Sequence, residues 1–332
     1  MKAKKEDCAV EILLATYNGG RFLSELLASL LAQTYKDWRL VVRDDGSTDG
    51  TIDIIKKFRD GHPGRVVLIE DTEERLGACG SFSLLLERSE APYIMFCDQD
   101  DVWLPEKVER TLEKMRELEG GRKEAPVLVH TDMIVVDEEL NKRADSFWRY
   151  QNLPPEMKGL NNLLILNNVT GCAAMINKAL KRLSVPVPDE AIIHDWWVAI
   201  VAAAMGEIGH IDSPTILYRQ HGENVKGARR YSYEYFASRL FSLGRTAALL
   251  RRIVKQAAAF LRIYGDRLPE GEKVAAGRFA GLLRMGRIKR VYTVFRYRFW
   301  GRGFLRNLGL CLIWIVIKGE KSRPSMAVKD NA

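Results

Sequence analysis

The chain has 332 residues, 47% apolar and 28% charged, which excludes a disordered protein and leaves room for one α/β domain with an appendage. Its five cysteines, at 8, 79, 97, 172 and 311, are scattered without CxxC spacing, which argues against a disulfide framework or structural zinc and suits a reducing cytosol. The net charge of +8 is unevenly placed: residues 226–332 hold 24 Lys and Arg against 6 Asp and Glu, so an acidic body carries a strongly basic tail.

At the N-terminus, Glu6, Asp7 and Glu11 interrupt what a signal peptide would need as its apolar stretch. "VEILLAT" (10–16) then reads as a buried parallel strand ending in a polar turn, and "RFLSELLASLLAQ" (21–33) has helical spacing. "WRLVVRDD" (38–45) is a second strand, and "STDGTIDIIKKF" (47–58) supplies cap residues followed by a helix. The strands "VVLIE" (66–70) and "YIMFCD" (93–98), the helix-like "SFSLLLERS" (81–89), a helix over 105–119 and the strand "PVLVHTDMIVVD" (126–137) continue the alternation. Strands alternating with helices predict a mostly parallel twisted sheet with helices on both faces. Further on, "TGCAAMINKALKRL" (170–183) reads as a strand end and a helix, "HDWWVAIVAAAMG" (194–206) as a helix, and "IGHIDSPTILYRQH" (208–221) as two extended pieces around Pro214. The predicted boundary falls near 225–230, giving an α/β domain over 1–228 and a basic helical region over 229–332.

The polar clusters sit at predicted strand ends: "ATYN", "RDDGSTDGT" and "CDQDD". Ligands of open parallel sheets bind beyond those ends. No GxGxxG and no Walker loop follows a strand, so the backbone offers no ordinary phosphate cradle. Asp98, Asp100 and Asp101 within four residues repel one another and cannot hold a diphosphate directly. Mg²⁺ or Mn²⁺ between the carboxylates and the phosphates resolves this. The plainer alternative is a solvated acidic turn before the helix that starts near Pro105.

At this point the sequence resembles a family 2 glycosyltransferase of GT-A fold. The pieces that carry the resemblance are "ILLATYNGGRFLSELLASLLAQTYKDWRLVVRDDGSTDGT", "FCDQDDVWLPEKV", "TGCAAMIN", "HDWW" and "YRQHGENVKG", in that order over about residues 9–228. The last of these and the acidic motif resemble the bacterial rhamnosyltransferase-like branch, whose donor is commonly dTDP-L-rhamnose and whose product is a cell-surface polysaccharide.

The resemblance implies an inverting, metal-dependent transfer of a sugar from a nucleotide-sugar donor to a glycan or lipid-linked acceptor. Thr16, Tyr17 and Asn18 would line the nucleotide pocket, with Tyr17 stacking on the base. Asp44 would accept the imide N–H of the base, and Asp45 would support that turn. Asp98 would begin the acidic motif, Asp100 reach the ribose and metal, and Asp101 ligate the metal. His221 is a further candidate ligand, more so than His194, and Arg219 a candidate partner of the diphosphate. Asp195, opening an apolar helix, would be the general base that takes the acceptor proton. Gly171 and Cys172 would form part of the acceptor wall. Of the adjacent Trp196 and Trp197, one would pack inside and the other face a sugar ring. Two other readings compete: a sugar-phosphate nucleotidyltransferase, and a non-catalytic membrane-bound scaffold.

The tail interleaves Arg and Lys with Tyr, Phe and Leu, and "LGLCLIWIVI" (308–317) is too short to span a bilayer, which takes about 20 residues. Its predicted partner is the inner membrane surface, not nucleic acid, with Phe299, Trp300 and Trp314 at the lipid boundary. The expected location is therefore cytoplasmic, peripheral on the inner face of the cell membrane. The competing reading is a helical subdomain packed on the catalytic domain or on a second copy, a homodimer. Glycines at 244, 265, 277, 281, 286, 301 and 303 predict several short helices.

Overall fold

The structure is a computed structural model that describes residues 8–71, 75–122, 124–222 and 243–319. In chain order the first half runs β1 (Val10–Thr16), α1 (Leu23–Leu31), β2 (Trp38–Asp44), α2 (Thr51–Gly61), β3 (Val66–Leu68), α3 (Gly77–Arg88), β4 (Tyr93–Cys97), β5 (Val102–Trp103) and α4 (Lys107–Glu119). The second runs β6 (Val127–Val136), β7 (Lys142–Ala144), α5 (Phe147–Gln151), α6 (Leu160–Leu163), β8 (Ala174–Asn177), α7 (Lys178–Ser184), α8 (His194–Met205) and β9 (Glu207–Arg219). Among the described residues four α-helices follow: α9 (Leu243–Tyr264), α10 (Glu270–Ala280), α11 (Arg287–Arg296) and α12 (Phe304–Val316).

One sheet runs β3-β2-β1-β4-β8-β6-β9-β5, with β7 beside β6. The expected parallel pairing holds for β3-β2-β1-β4 and for β6 with β9. β8 enters antiparallel between β4 and β6, and β5 pairs antiparallel with β9. β1 shows why a continuous apolar run suits the middle of this sheet: Ile12 and Leu14 enter one core and Leu13 the other, all three fully buried. The two extended pieces expected around Pro214 are one strand. Its register against β6 shifts at Asp132, opposite Pro214, where the proline has no N–H to give.

The boundary near 225–230 lies outside the described residues, as does "RRYSYEYFASRLFS" of the tail. Residues 243–319 share a hydrophobic core with the catalytic half: Leu250, Ile253, Ala257 and Phe260 of α9 join Trp196, Trp197 and Ile200 of α8. The Nδ2 groups of Asn161 and Asn162 donate to Tyr297 O (3.2 Å) and Trp300 O (3.0 Å), and Arg306 reaches Asn152 O (2.7 Å) and Gln151 O (2.9 Å). The helix breaks fall at Gly265, Gly281, Gly286 and Gly303, whereas Gly244 and Gly277 lie within helices. Two aromatics expected at a lipid boundary are core residues instead: Phe299 and Trp314 are fully buried, Phe299 edge-on to Phe279 at 4.8 Å. Among the described residues no helix is long and apolar enough to cross a membrane.

Candidate active site

The carboxyl ends of β1, β2 and β4 and the end of β9 converge, and the residues beyond them build the site. Gln99, from the acidic loop after β4, clasps the turn after β1. Its Oε1 accepts from Tyr17 N (2.9 Å) and its Nε2 donates to Tyr17 O (3.0 Å). Gly19 leaves room for that amide, which a Cβ there would push aside. Asn18, at φ 48°, ties the same turn to the loop after β2: its N–H donates to Ser47 Oγ (2.8 Å) and its Oδ1 accepts from Thr48 N (2.8 Å).

Thr16 is buried and donates its hydroxyl to Asp44 Oδ1 at 2.8 Å. Asp44 Oδ1 also accepts from Ser47 Oγ (2.6 Å), and Oδ2 from the N–H groups of Gly46 (3.1 Å) and Ser47 (2.8 Å). Those four donors show that Asp44, half-buried at the end of β2, also orders its own turn. Asp45 is buried behind it. It accepts from Arg43 Nη1 (2.6 Å) and from the N–H groups of Leu76 and Gly77 (2.8 Å each). Burial alone would raise the Asp45 carboxyl, but Arg43 and the two N–H groups hold it below the usual range. Tyr17 is 37% exposed, and Arg75 stacks its guanidinium 3.6 Å from the ring centre.

In the acidic corner, Asp101 is wholly buried. Its Oδ1 accepts from Arg219 N (3.1 Å), and its Oδ2 has no hydrogen-bond partner among the described residues. Ligand atoms of Asp98, Asp101 and Cys172 lie within 4.8 Å of one another. Asp100 Oδ2 meets His221 Nε2 at 2.7 Å, and the His221 ring lies against Phe22. Burial first, then repulsion from Asp100, pushes Asp98 up to about 7 and Asp101 well above the carboxylate range. Cys172 is also pushed well up by burial and then by Asp101 and Asp98, so it stays a neutral thiol. Two neighbouring carboxyls whose charge burial and repulsion disfavour, one with an unpartnered buried oxygen, fit a hard divalent ion. The thiol does not, and Cys172 faces this corner and Met133 (3.8 Å), not an acceptor wall.

Arg219 is not the diphosphate partner that the sequence suggests. It is 1% exposed and spent on the fold: Nε donates to Asp100 O (2.8 Å), Nη2 to Glu25 Oε2 (2.6 Å) and Nη1 to Glu138 O. The antiparallel pairing of β5 with β9, Val102 opposite Leu217, places it there.

Asp195, in the first turn of α8, is held at both oxygens. Asn167 Nδ2 donates to Oδ1 (3.0 Å) and Gly171 N to Oδ2 (2.9 Å). A Cβ on Gly171 would meet His194 Nε2 at 3.1 Å and Asp195 Oδ2 at 3.3 Å, so a side chain there would crowd both. The charge of Asp195 contributes to raising Asp98, and Gly171, which donates to Asp195, adjoins Cys172 of the acidic corner. His194 stacks on Phe82 at 4.2 Å, inside the core and away from ligation. Neither tryptophan faces a sugar: Trp196 Nε1 donates to Leu163 O (2.6 Å) and Trp197 Nε1 to Ser184 O (3.0 Å), both rings buried.

Sequence reasoning missed Gln99, Asn167, Arg75 and Lys107. Lys107 is fully buried with Nζ 4.5 Å from the Trp103 ring centre, and burial pushes it down to about 8. Gln99 had a signal, a neutral amide inside an otherwise acidic run; Asn167, distant in sequence from Asp195, had none. A separate cleft of about 390 Å³, bordered by Asp132, Trp148, Arg149 and Arg302, shares no residue with this site.

The sequence model described as Glycosyl transferase family 2 matches residues 11–184, more than half of the chain. The chain belongs to glycosyl transferase family 2. Within that family it is similar to RfbG of Shigella flexneri, a dTDP-rhamnosyl transferase, at 26% identity over 65% of this chain and 74% of that one. It is 34% identical to WfgD of Escherichia coli, a UDP-Glc:alpha-D-GlcNAc-diphosphoundecaprenol beta-1,3-glucosyltransferase, over 33% of this chain and 42% of that one. The chain spans less than half the length of several curated relatives it matches, 44% of a Bacillus subtilis relative among them. Among solved structures, TarS residues 1–349 of S. aureus with UDP-GlcNAc superpose with a TM-score of 0.55 at 17% identity, covering 87% of this chain and 80% of that one. A Pyrobaculum calidifontis mannosyltransferase with GDP-Man and Mn²⁺ gives 0.52 at 17%, covering 88% and 73%. These likenesses show the fold, GT-A, and carry nothing about specificity.

Proposed function

We propose that the chain transfers a sugar, with inversion, from a nucleotide-sugar donor to a cell-surface glycan or lipid-linked acceptor. The observation that carries this reading is the buried, unpartnered Oδ2 of Asp101 beside Asp98, in the same region as the anchored carboxylate of Asp195. Asp101 and Asp98 would hold Mg²⁺ or Mn²⁺, with Asp100 and His221 as a hydrogen-bonded pair beside them. Such an ion supplies charge stabilisation for a departing diphosphate. Tyr17 with Arg75 offers a stacking face for the base, while Thr16, Asn18, Asp44 and Asp45 fix the loops around it. Asn167 and Gly171 aim Asp195, which takes the proton of the acceptor hydroxyl as it attacks the anomeric carbon. One base without a covalent intermediate gives inversion.

The finer reading is L-rhamnose from dTDP-L-rhamnose, which the likeness to RfbG supports. The name of WfgD supports a lipid diphosphate acceptor, and with it a place for the basic C-terminal region on the inner membrane surface. Incubation with dTDP-rhamnose, UDP-glucose and GDP-mannose, each with and without Mn²⁺, tests the reading by release of nucleoside diphosphate. Release of pyrophosphate from a nucleoside triphosphate and a sugar 1-phosphate would support the nucleotidyltransferase instead. No turnover of any donor would leave the scaffold.

A further inference from the structure

Residues 281–319 contain nine Lys and Arg and no Asp or Glu. The same segment holds eight of the thirteen large apolar side chains that stand exposed among the described residues. They fall at helical spacing. On α11 the stripe is Ile288 (89% exposed), Tyr292 (65%) and Phe295 (52%); on α12 it is Phe304 (79%), Leu308, Leu312 and Ile315. Arg287 lies on one side of the α11 stripe and Lys289 and Arg296 on the other, all exposed.

These helices are not loose. Arg290, 1% exposed, ties the end of α12 to the turn before α11. Its Nη1 donates to Trp314 O (2.8 Å) and Ile317 O (2.9 Å), its Nε to Leu282 O (3.0 Å) and its Nη2 to Met285 O (3.1 Å). Phe299 and Trp314 fill the inside. The apolar residues left outside therefore belong to a fixed surface with an unsatisfied apolar area, flanked on α11 by the positive side chains of Arg287, Lys289 and Arg296.

We infer that the α11–α12 surface docks on an anionic lipid bilayer. This rests on the reading that the C-terminal region meets the membrane, and not on the transfer chemistry. Charge decides the occupant. A second copy meeting this surface about a two-fold axis would set the positive rim against itself, with no carboxylate in the segment to offset it. Nucleic acid suits the rim but leaves Ile288 and Phe304 unrewarded. Acidic headgroups meet the rim and acyl chains take the stripes.

The test is co-sedimentation of the full chain, without nucleotide sugar, with vesicles of equal parts phosphatidylcholine and phosphatidylglycerol, and with phosphatidylcholine alone. The mixed vesicles are expected to bind strongly and the neutral ones weakly. Ile288→Ser with Phe304→Ser is expected to weaken binding by about a hundredfold, roughly tenfold per apolar side chain. Ile263→Ser with Val274→Ser, exposed apolar residues elsewhere, is expected to change nothing. Should the first pair lose its thermal transition, Lys289→Gln with Arg296→Gln keeps the stripes and is expected to lose about 25-fold, on anionic vesicles only. Equal binding to both vesicle types, or undiminished binding by both pairs, overturns the inference. So does a serine pair that abolishes a dimer or nucleic-acid binding and leaves vesicles unaffected. Failure of sugar transfer with vesicle binding intact would count against the proposed activity alone.

Discussion

Gln99 holds Tyr17 by both polar groups of its backbone, at 2.9 and 3.0 Å, so one amide side chain locks the acidic loop to the turn after β1. Gln99→Glu keeps the shape but turns the donor into an acceptor, leaving Tyr17 O facing a carboxylate oxygen. It also adds a further carboxylate beside Asp98, Asp100 and Asp101, where burial and repulsion already disfavour charge. Gln99→Glu should lower nucleotide-sugar turnover about tenfold or more, with a stability loss of about 0.5–1.5 kcal/mol, since the clasp is solvent-exposed. Steady-state kinetics and urea unfolding check both; wild-type turnover would show that the clasp is not needed.

Asp101 is a wholly buried carboxyl that burial and its neighbours push well up. Its retention costs stability in the metal-free protein, so Asp101→Asn should melt no lower than wild type without metal. Added Mn²⁺ should stabilise wild type by mass action and leave the variant unmoved. Isothermal titration of UDP and dTDP with Mn²⁺ should show binding lost in the variant. A Mn²⁺-induced rise in Tm that survives in Asp101→Asn would remove Asp101 from the ion site.

Much of this fold was legible because local pattern and tertiary context agree. The apolar runs of β1, β2 and β4 sit in the sheet's interior, and the polar residues after them gather at one end, as open sheets require. β8 was harder to read: four residues, Ala174–Asn177, merge into the helix that Asn177 itself caps, and pairing with β4 and β6 makes them a strand. In the site, Asp98, Asp101 and Asp195 were legible as carboxylates at element ends. Arg219, Trp196 and Trp197 were misread because residue type says nothing about burial. An arginine at a strand end looks available until Asp100, Glu138 and Glu25 are seen to use it. Likewise, Phe299 and Trp314 looked like interfacial aromatics, yet the exposed residues are the plainer Ile288, Phe304 and Val316.

Asp195 is fixed by Asn167 and Gly171 and is not among the grouped ligand atoms of the acidic corner. Replacing the carboxylate by an amide removes a base while keeping Asp98 and Asp101 in place. Asp195→Asn should bind nucleotide with Mn²⁺ as wild type does and transfer sugar about 10²–10⁴-fold more slowly. Asn167→Ala, which releases Oδ1 but keeps the base, should fall between the two. A near-normal rate in Asp195→Asn would end its role as base.

His130 gives a pH signature that is independent of the site. It is 1% exposed, edge-on to Trp148 at 5.2 Å, and both ring nitrogens lack hydrogen-bond partners among the described residues. Burial, then the nearby His210 and Lys158, pushes it down to about 3. Between that value and the unfolded value of about 6.5, the unfolded chain binds a proton that the folded one refuses, so stability falls with pH. The loss is about 1.4 kcal/mol per pH unit, or about 2 kcal/mol from pH 6.5 to 5. Asp98, raised to about 7, works in the opposite sense, its folded form gaining protons first as pH falls. That contribution is common to wild type and His130→Phe, so it cancels in their difference. Urea unfolding of the two proteins at pH 7, 6 and 5 should show wild type losing ground to His130→Phe below pH 6.5, whatever the offset at pH 7. Parallel curves would mean that His130 takes up its proton in the folded chain, and hence that its ring is not sealed from water.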